Sequence, residues 1–171
     1  EVLKDREDIE AQTGKITRGM AYPFGTTSQT VVDCLKACGI LYARTVASSM
    51  NFYIPEDWLR LPATCHHRNP DLMKLAKQFV EYAVTTEPGL FYLWGHSYEF
   101  DDNNNWEVIE RFCEYAGGRD DIWYATNIEI YDYVKAYESL QTSYDKRLVH
   151  NPSAIDVWFE SRGSVHCVKA G

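Results

Sequence analysis

The stretch FYLWGHSYEFDDNNNWEVIERF (residues 91–112) decides how the chain is to be read. It begins as an apolar and aromatic run, passes through one histidine, His96, and enters an acidic, amide-rich segment holding Glu99, Asp101 and Asp102. A short continuous apolar run after a glycine, over residues 89–96, has the pattern of a strand covered on both faces. Such strands belong to parallel sheets. In parallel α/β folds the site lies beyond the C-terminal ends of the strands, which is where His96 falls.

Working outward, apolar strands alternate with amphipathic helices. Residues 1–13 read as a helix closed by Gly14 in a left-handed position. A strand over 17–23 ends at Pro23 and Gly25. Thr26 and Gln29 have the spacing of a capping box for a helix carrying Val31, Leu35 and Cys38, which Gly39 stops. Residues 40–46 form the second strand, with Arg44 inside it, and a long loop over 47–68 follows. Asn69 and Pro70 start a helix whose apolar stripe is Leu72, Leu75, Phe79 and Tyr82. After the strand over 89–96, a helix over 106–116 turns Ile109, Phe112 and Ala116 inward, and Asp101 and Asp102 are placed to cap it. The fourth strand is expected over 121–126. Thr126 and Glu129 then cap a helix with Ile130, Val134, Tyr137 and Leu140 on its inner face. Beyond Pro152 the period changes to two, and the segments flanking Arg162 and Gly163 read as a β-hairpin.

With 171 residues, 45% hydrophobic and 25% charged, the chain suits one domain spanning residues 1–171. Its net charge of −8 opposes nucleic-acid binding, which needs clustered Lys and Arg. No apolar run approaches the roughly 20 residues of a membrane span. Twelve Tyr, seven Phe and five Trp can build a core or a carbohydrate platform. The five cysteines lack a disulfide-framework pattern, which favours a reducing, cytoplasmic setting. Cys34 and Cys38 share a helix face and read more readily as small core residues than as paired ligands.

His96 is the leading candidate for a general acid or base; the bland reading is a histidine hydrogen-bonded at a strand end. Glu99 is placed to orient that imidazole or to hold a ligand hydroxyl, or else is one solvated member of an acidic loop. Adjacent histidines on an extended segment point to opposite faces, so His66 and His67 are not expected to share one metal. A guanidinium inside an apolar strand needs a partner, which makes Arg44 a site residue or half of a structural ion pair. Trp58 and Trp94 are candidates for stacking on a sugar face, against the commoner role in packing. No dinucleotide fingerprint, phosphate loop, serine elbow or HExxH is present.

Taken together, RGMAYPFG, GILYARTV, DWL with TCHH, and FYLWGHSYEFD with the IERFCEY and DIWYATNIEIYDYV segments behind it resemble the C-terminal part of a polysaccharide deacetylase domain. The type is that of NodB homology, carbohydrate esterase family 4. The likeness covers nearly the whole chain, as blocks in the family's order. It implies a distorted (β/α) barrel, of which this chain would supply about four parallel strands and a C-terminal hairpin. The implied reaction is metal-assisted hydrolysis of acetyl groups on a poly- or oligosaccharide. YPFG resembles the family's proline-glycine turn at the groove, which brings in Tyr22 and Pro23. FYLWGH resembles its histidine motif, so His96 would protonate the departing amine or alcohol. Asp57 and Trp58 resemble its pocket tryptophan motif.

Two departures qualify the likeness. Ala21 stands where the family carries an arginine, and the Asp-Asp pair and HxxxH that would hold zinc or another divalent ion do not occur in the family's positions. This chain alone is therefore expected to bind no tight family-type metal. It is expected to associate, as a homodimer or with an N-terminal half, because an incomplete barrel leaves an edge. A secreted location is compatible with the resemblance. The competing readings are a non-catalytic carbohydrate-binding relic of the same fold and a glycoside hydrolase working through carboxylates such as Glu99 and Asp57.

Overall fold

The computed structural model describes residues 1–82 and 88–171, and the side chain of Tyr82 lies outside the described part. The protein is mixed α/β, with six α-helices and several small sheets among the described residues. Its chain divides into two compact units, Glu1–Trp123 and Tyr124–Gly171.

The first unit is organised by five short parallel strands. Strand β1 (Gly19–Ala21) pairs with β2 (Tyr42–Ser48), Gly19 to Ala21 facing Tyr42 to Arg44. Strand β3 (Leu61–Ala63) pairs with the other side of β2, and β4 (Cys65–His66) pairs with β5 (Leu93–Trp94). The two ladders meet at Thr64. Its backbone N–H donates to Tyr92 O and its carbonyl accepts from Met50 N–H, at 2.8 and 3.0 Å.

Residues 61–66 correct the long loop expected over 47–68. Leu61, Ala63, Thr64 and Cys65 are all buried, as an inner strand requires, but Pro62 interrupts the apolar pattern. Proline has no N–H to give to a ladder, and the β2–β3 register shifts between Arg44 and Ser48 around it. Conversely, residues 121–126 form no strand. They join no ladder, and Trp123 and Tyr124 are more than half exposed, so an aromatic, β-prone composition did not by itself make a strand.

Helix α1 (Val2–Thr13) ends at Gly14 with φ 65°, as expected. Helix α2 (Gln29–Ala37) is capped by Ser28, whose Oγ accepts from Val31 N–H at 3.3 Å, and Thr26 plays no such part. Val32 and Leu35 from α2 join Tyr22, Ile40, Ala43 and Leu59 in one apolar cluster. A second cluster unites Cys65 with Leu72 and Leu75 of α3 (Leu72–Tyr82), and Phe91, Leu93 and Phe112 close over it. Burial pushes the Cys65 thiol up to about 11, as expected for sulfur kept from water.

The acidic segment after His96 is a short helix, α4 (Tyr98–Asn103), not a loop. Asp101 accepts the Trp106 indole N–H at 2.8 Å. It therefore ties the aromatic that precedes α5 (Glu107–Ala116), and the expected capping by Asp101 and Asp102 is replaced by this side-chain brace.

In the second unit, α6 (Asn127–Glu138) begins at Thr126, whose N–H and hydroxyl both donate to Glu129 Oε2. Its inner face differs from expectation. Ala136 is buried while Tyr137 is half exposed, and Tyr133 Oη receives the Trp158 N–H at 3.0 Å. A small antiparallel pair, β6 (Gln141–Thr142) and β7 (Val149–His150), follows. The terminal hairpin is present as β8 (Val157–Ser161) and β9 (Ser164–Val168), turning at Arg162 and Gly163, both with positive φ. Among the described residues no helix is long and apolar enough to cross a membrane.

Candidate functional site

Strands β4 and β5 run side by side and end together, Cys65 facing Leu93 and His66 facing Trp94. Parallel pairing therefore delivers whatever follows each strand to one place. Strand β4 ends on His66, with His67 and Arg68 directly behind it; after β5 come His96 and, from the first turn of α4, Glu99. All five converge.

Glu99 is the centre. Its Oε2 accepts from His67 Nε2 at 2.5 Å and lies 3.3 Å from His66 Nε2. Its Oε1 lies 3.5 Å from His96 Nδ1 and 3.8 Å from Arg68 Nη1. One carboxylate thus faces three imidazoles and a guanidinium. Partial burial presses the Glu99 carboxyl upward, but the hydrogen bond from His67 and the charges of His66, His67 and His96 outweigh it. The group is held below the ordinary carboxylate range. Burial, and then the like charge of His67, hold His66 below the ordinary histidine range against the pull of Glu99.

His67 is fixed from several sides. It is buried, its N–H donates to Trp94 O at 2.9 Å, and its ring lies 4.3 Å from that of Phe100. Gly95 completes the cradle: a Cβ there would stand 1.8 Å from His67 Cδ2. Only a residue without a side chain admits the ring. His67 Nδ1 and Trp94 Nε1 are both buried without a hydrogen-bond partner among the described residues.

The expectation that His66 and His67 point apart is overturned. Alternation holds only within an extended strand, and β4 stops at His66, so His67 already lies in a turn closed by Asn69 N–H to His66 O. Both imidazoles reach the same oxygen of Glu99. The legible signal was three basic side chains in a row, HHR, directly behind a strand end.

Besides Glu99, His66 and His67, three further residues singled out in the sequence are gathered here. His96 has a half-exposed side chain and pairs with Glu99. Trp94 sets its ring edge-on to His66 at 4.5 Å and to His96 at 5.8 Å. Arg44 places its guanidinium 4.3 Å from the Trp94 ring centroid and donates from Nη1 to Thr45 O at 3.1 Å, so its partners are an aromatic face and a backbone carbonyl. Tyr22 and Trp58 are instead buried, at 4% and 5% exposure. Tyr22 is a core residue whose hydroxyl donates to Leu59 O at 2.7 Å. Pro23 is exposed and opens a turn whose Gly25 lies against Val46. Tyr98, more than half exposed, sets its ring tilted beside that of His96 at 5.2 Å.

His66, His96 and Glu99 each offer one donor atom, and these lie within 4.8 Å of one another, a grouping that could hold a metal ion. The donors come from two strand ends. They do not form the Asp and HxxxH set that a deacetylase resemblance implies. No protein-family model, curated protein or solved structure matches the chain.

Proposed function

We propose that the chain belongs to a polysaccharide deacetylase-type hydrolase and carries the proton-donor side of its site, with His96 as the general acid. The pairing of His96 with Glu99 at a strand end is the observation that supports this reading most directly. A protonated imidazole facing a carboxylate through Nδ1 has its other nitrogen, Nε2, left for a substrate. From there it would pass its proton to the sugar nitrogen or oxygen as the bond to the acetyl carbon breaks. Glu99, kept ionised by its basic surroundings, offsets the charge of the imidazolium and orients its ring.

Trp94, Tyr98 and Arg44 supply the rest of the substrate side. Tyr98 offers an exposed ring beside the acid, suited to the apolar face of a sugar, and Arg44 braces Trp94 from behind. A divalent metal, which this reaction class uses to polarise the carbonyl and activate water, would need the Asp and HxxxH ligand set, which does not occur in the family's positions.

The test is acetate release from acetylated oligosaccharides by the full-length protein and its His96→Ala variant. Loss of a general acid should lower kcat by about two to four orders of magnitude with KM little changed. Unchanged turnover would remove His96 from the chemistry, and sugar binding without acetate release would favour the carbohydrate-binding relic.

A further inference from the structure

We propose that His66, His96 and Glu99 form a binding site for one divalent cation of the zinc type, and that its occupation blocks His96 as a proton donor. The binding half stands by itself. The inhibitory half rests on the deacetylase reading.

The geometry comes first. Zinc bound tetrahedrally at about 2.0–2.2 Å has ligand atoms roughly 3.3–3.6 Å apart. His66 Nε2 is 3.3 Å from Glu99 Oε2, and His96 Nδ1 is 3.5 Å from Glu99 Oε1. His66 is thus at ligand spacing from Glu99 Oε2 and His96 from Glu99 Oε1, without an ion. One donor atom from each of the three residues lies within 4.8 Å of the others, and the His96 side chain is half exposed.

The donor set comes second. Two imidazoles and one carboxylate suit zinc and its neighbours, whereas calcium and magnesium prefer oxygen alone. Three protein ligands with the His96 side open to solvent leave a fourth position for water.

The support around the ligands is the third argument. His67, buried and wedged by Gly95, donates to Glu99 Oε2 at 2.5 Å. An outer hydrogen bond of this kind orients a ligating carboxylate. A cation held here would occupy His96 Nδ1 and replace the Glu99 pairing that the proton donor uses.

The experiment is calorimetric titration of Zn2+ into the chelator-treated full-length protein, repeated with Co2+ while visible absorption is recorded. One ion per site is expected, with the cobalt bands of four-coordinate geometry. His66→Ala and His96→Ala should each weaken binding by more than about a hundredfold, and His67→Gln by about tenfold to a hundredfold. His166→Ala, on the distant-in-sequence hairpin, should leave this binding unchanged. Because His96 is half exposed, His96→Ala should keep the wild-type circular dichroism, so its loss of zinc cannot be unfolding. Equal zinc affinity in wild type and His96→Ala, or no binding at all, overturns the site.

Acetate release tests the second half. Excess Zn2+ should inhibit the wild type, and the fractional inhibition should disappear in His66→Ala. Stoichiometric binding without inhibition overturns the inhibitory half alone. Absence of any acetate release removes that half together with the deacetylase reading, while binding is still decided by the titration.

Discussion

Glu99 in the first unit and Asn151 in the second are both polar side chains withdrawn from solvent, and they are paired in different ways. Asn151 is 1% exposed and its amide is fully used. Nδ2 donates to Ile155 O at 2.8 Å and Val168 O at 3.1 Å, while Oδ1 accepts from the Ser153 N–H and hydroxyl. Each donor meets a neutral acceptor, and the result is a knot tying the approach to β8 to the end of β9. Around Glu99 the account does not balance in this way. Four basic groups compete for two oxygens, His67 Nδ1 is left without a partner, and His96 remains half in water. Satisfied polar centres hold structure, whereas crowded titratable groups at a partly open strand end have chemistry to offer.

The sharpest way to break that contrast is Asn151→Ala. The four hydrogen bonds of the amide are lost, each worth about 0.5–1.5 kcal/mol net, while Ile155 O keeps the Ser153 hydroxyl as a donor. The hairpin amides of β8 and β9 should exchange with deuterium faster by an amount equivalent to about 2–4 kcal/mol. Exchange unchanged from wild type would show that the amide is not a structural knot.

Gly95→Ala attacks the other centre through shape. The new methyl would meet the His67 ring, and relieving such overpacking typically costs about 1–3 kcal/mol. Urea unfolding followed by circular dichroism should show the loss. His67 must also shift away from Glu99, so zinc affinity should fall with stability. A Gly95→Ala protein of wild-type stability would mean that the cradle is not tight.

The smallest effect is on pH dependence. The value of His66 in the fold lies below its ordinary 6.5, so the unfolded chain takes up the proton first and stability declines as pH falls below that value. Glu99 lies below its ordinary 4.5. Its contribution is complete above that value and is lost as pH falls through the lowered one. The urea midpoint should therefore decline as pH falls below about 6.5, and again as it falls below about 4.5. His66→Gln should flatten the first limb and leave the second. Identical profiles for the two proteins would remove His66 from the linkage.

Much of this was legible from residue order. Gly14, Gly39, Thr126 with Glu129, and the period-two segments around Arg162 and Gly163 announced their elements because caps and turns are set by neighbours in sequence. His96 and Glu99 were legible for the same reason, three residues apart behind an apolar run. The parallel strands β3 and β4 were hidden by Pro62, and the residues expected as a strand over 121–126 join no ladder. Strand pairing depends on residues far away in the chain, and composition cannot supply that partner.

His67 marks the division most clearly. By sequence it is one of two adjacent histidines expected to face apart, and its order in the chain fixed only that a basic cluster, HHR, follows Cys65. The end of β4 at His66, the missing side chain at Gly95 and the arrival of Glu99 from β5 turned both imidazoles onto one carboxylate. The chemical groups and their local caps were set by the sequence itself. Their convergence was decided by parallel pairing of strands 28 residues apart, Cys65 with Leu93, because a hydrogen-bonded ladder fixes positions that no local preference can.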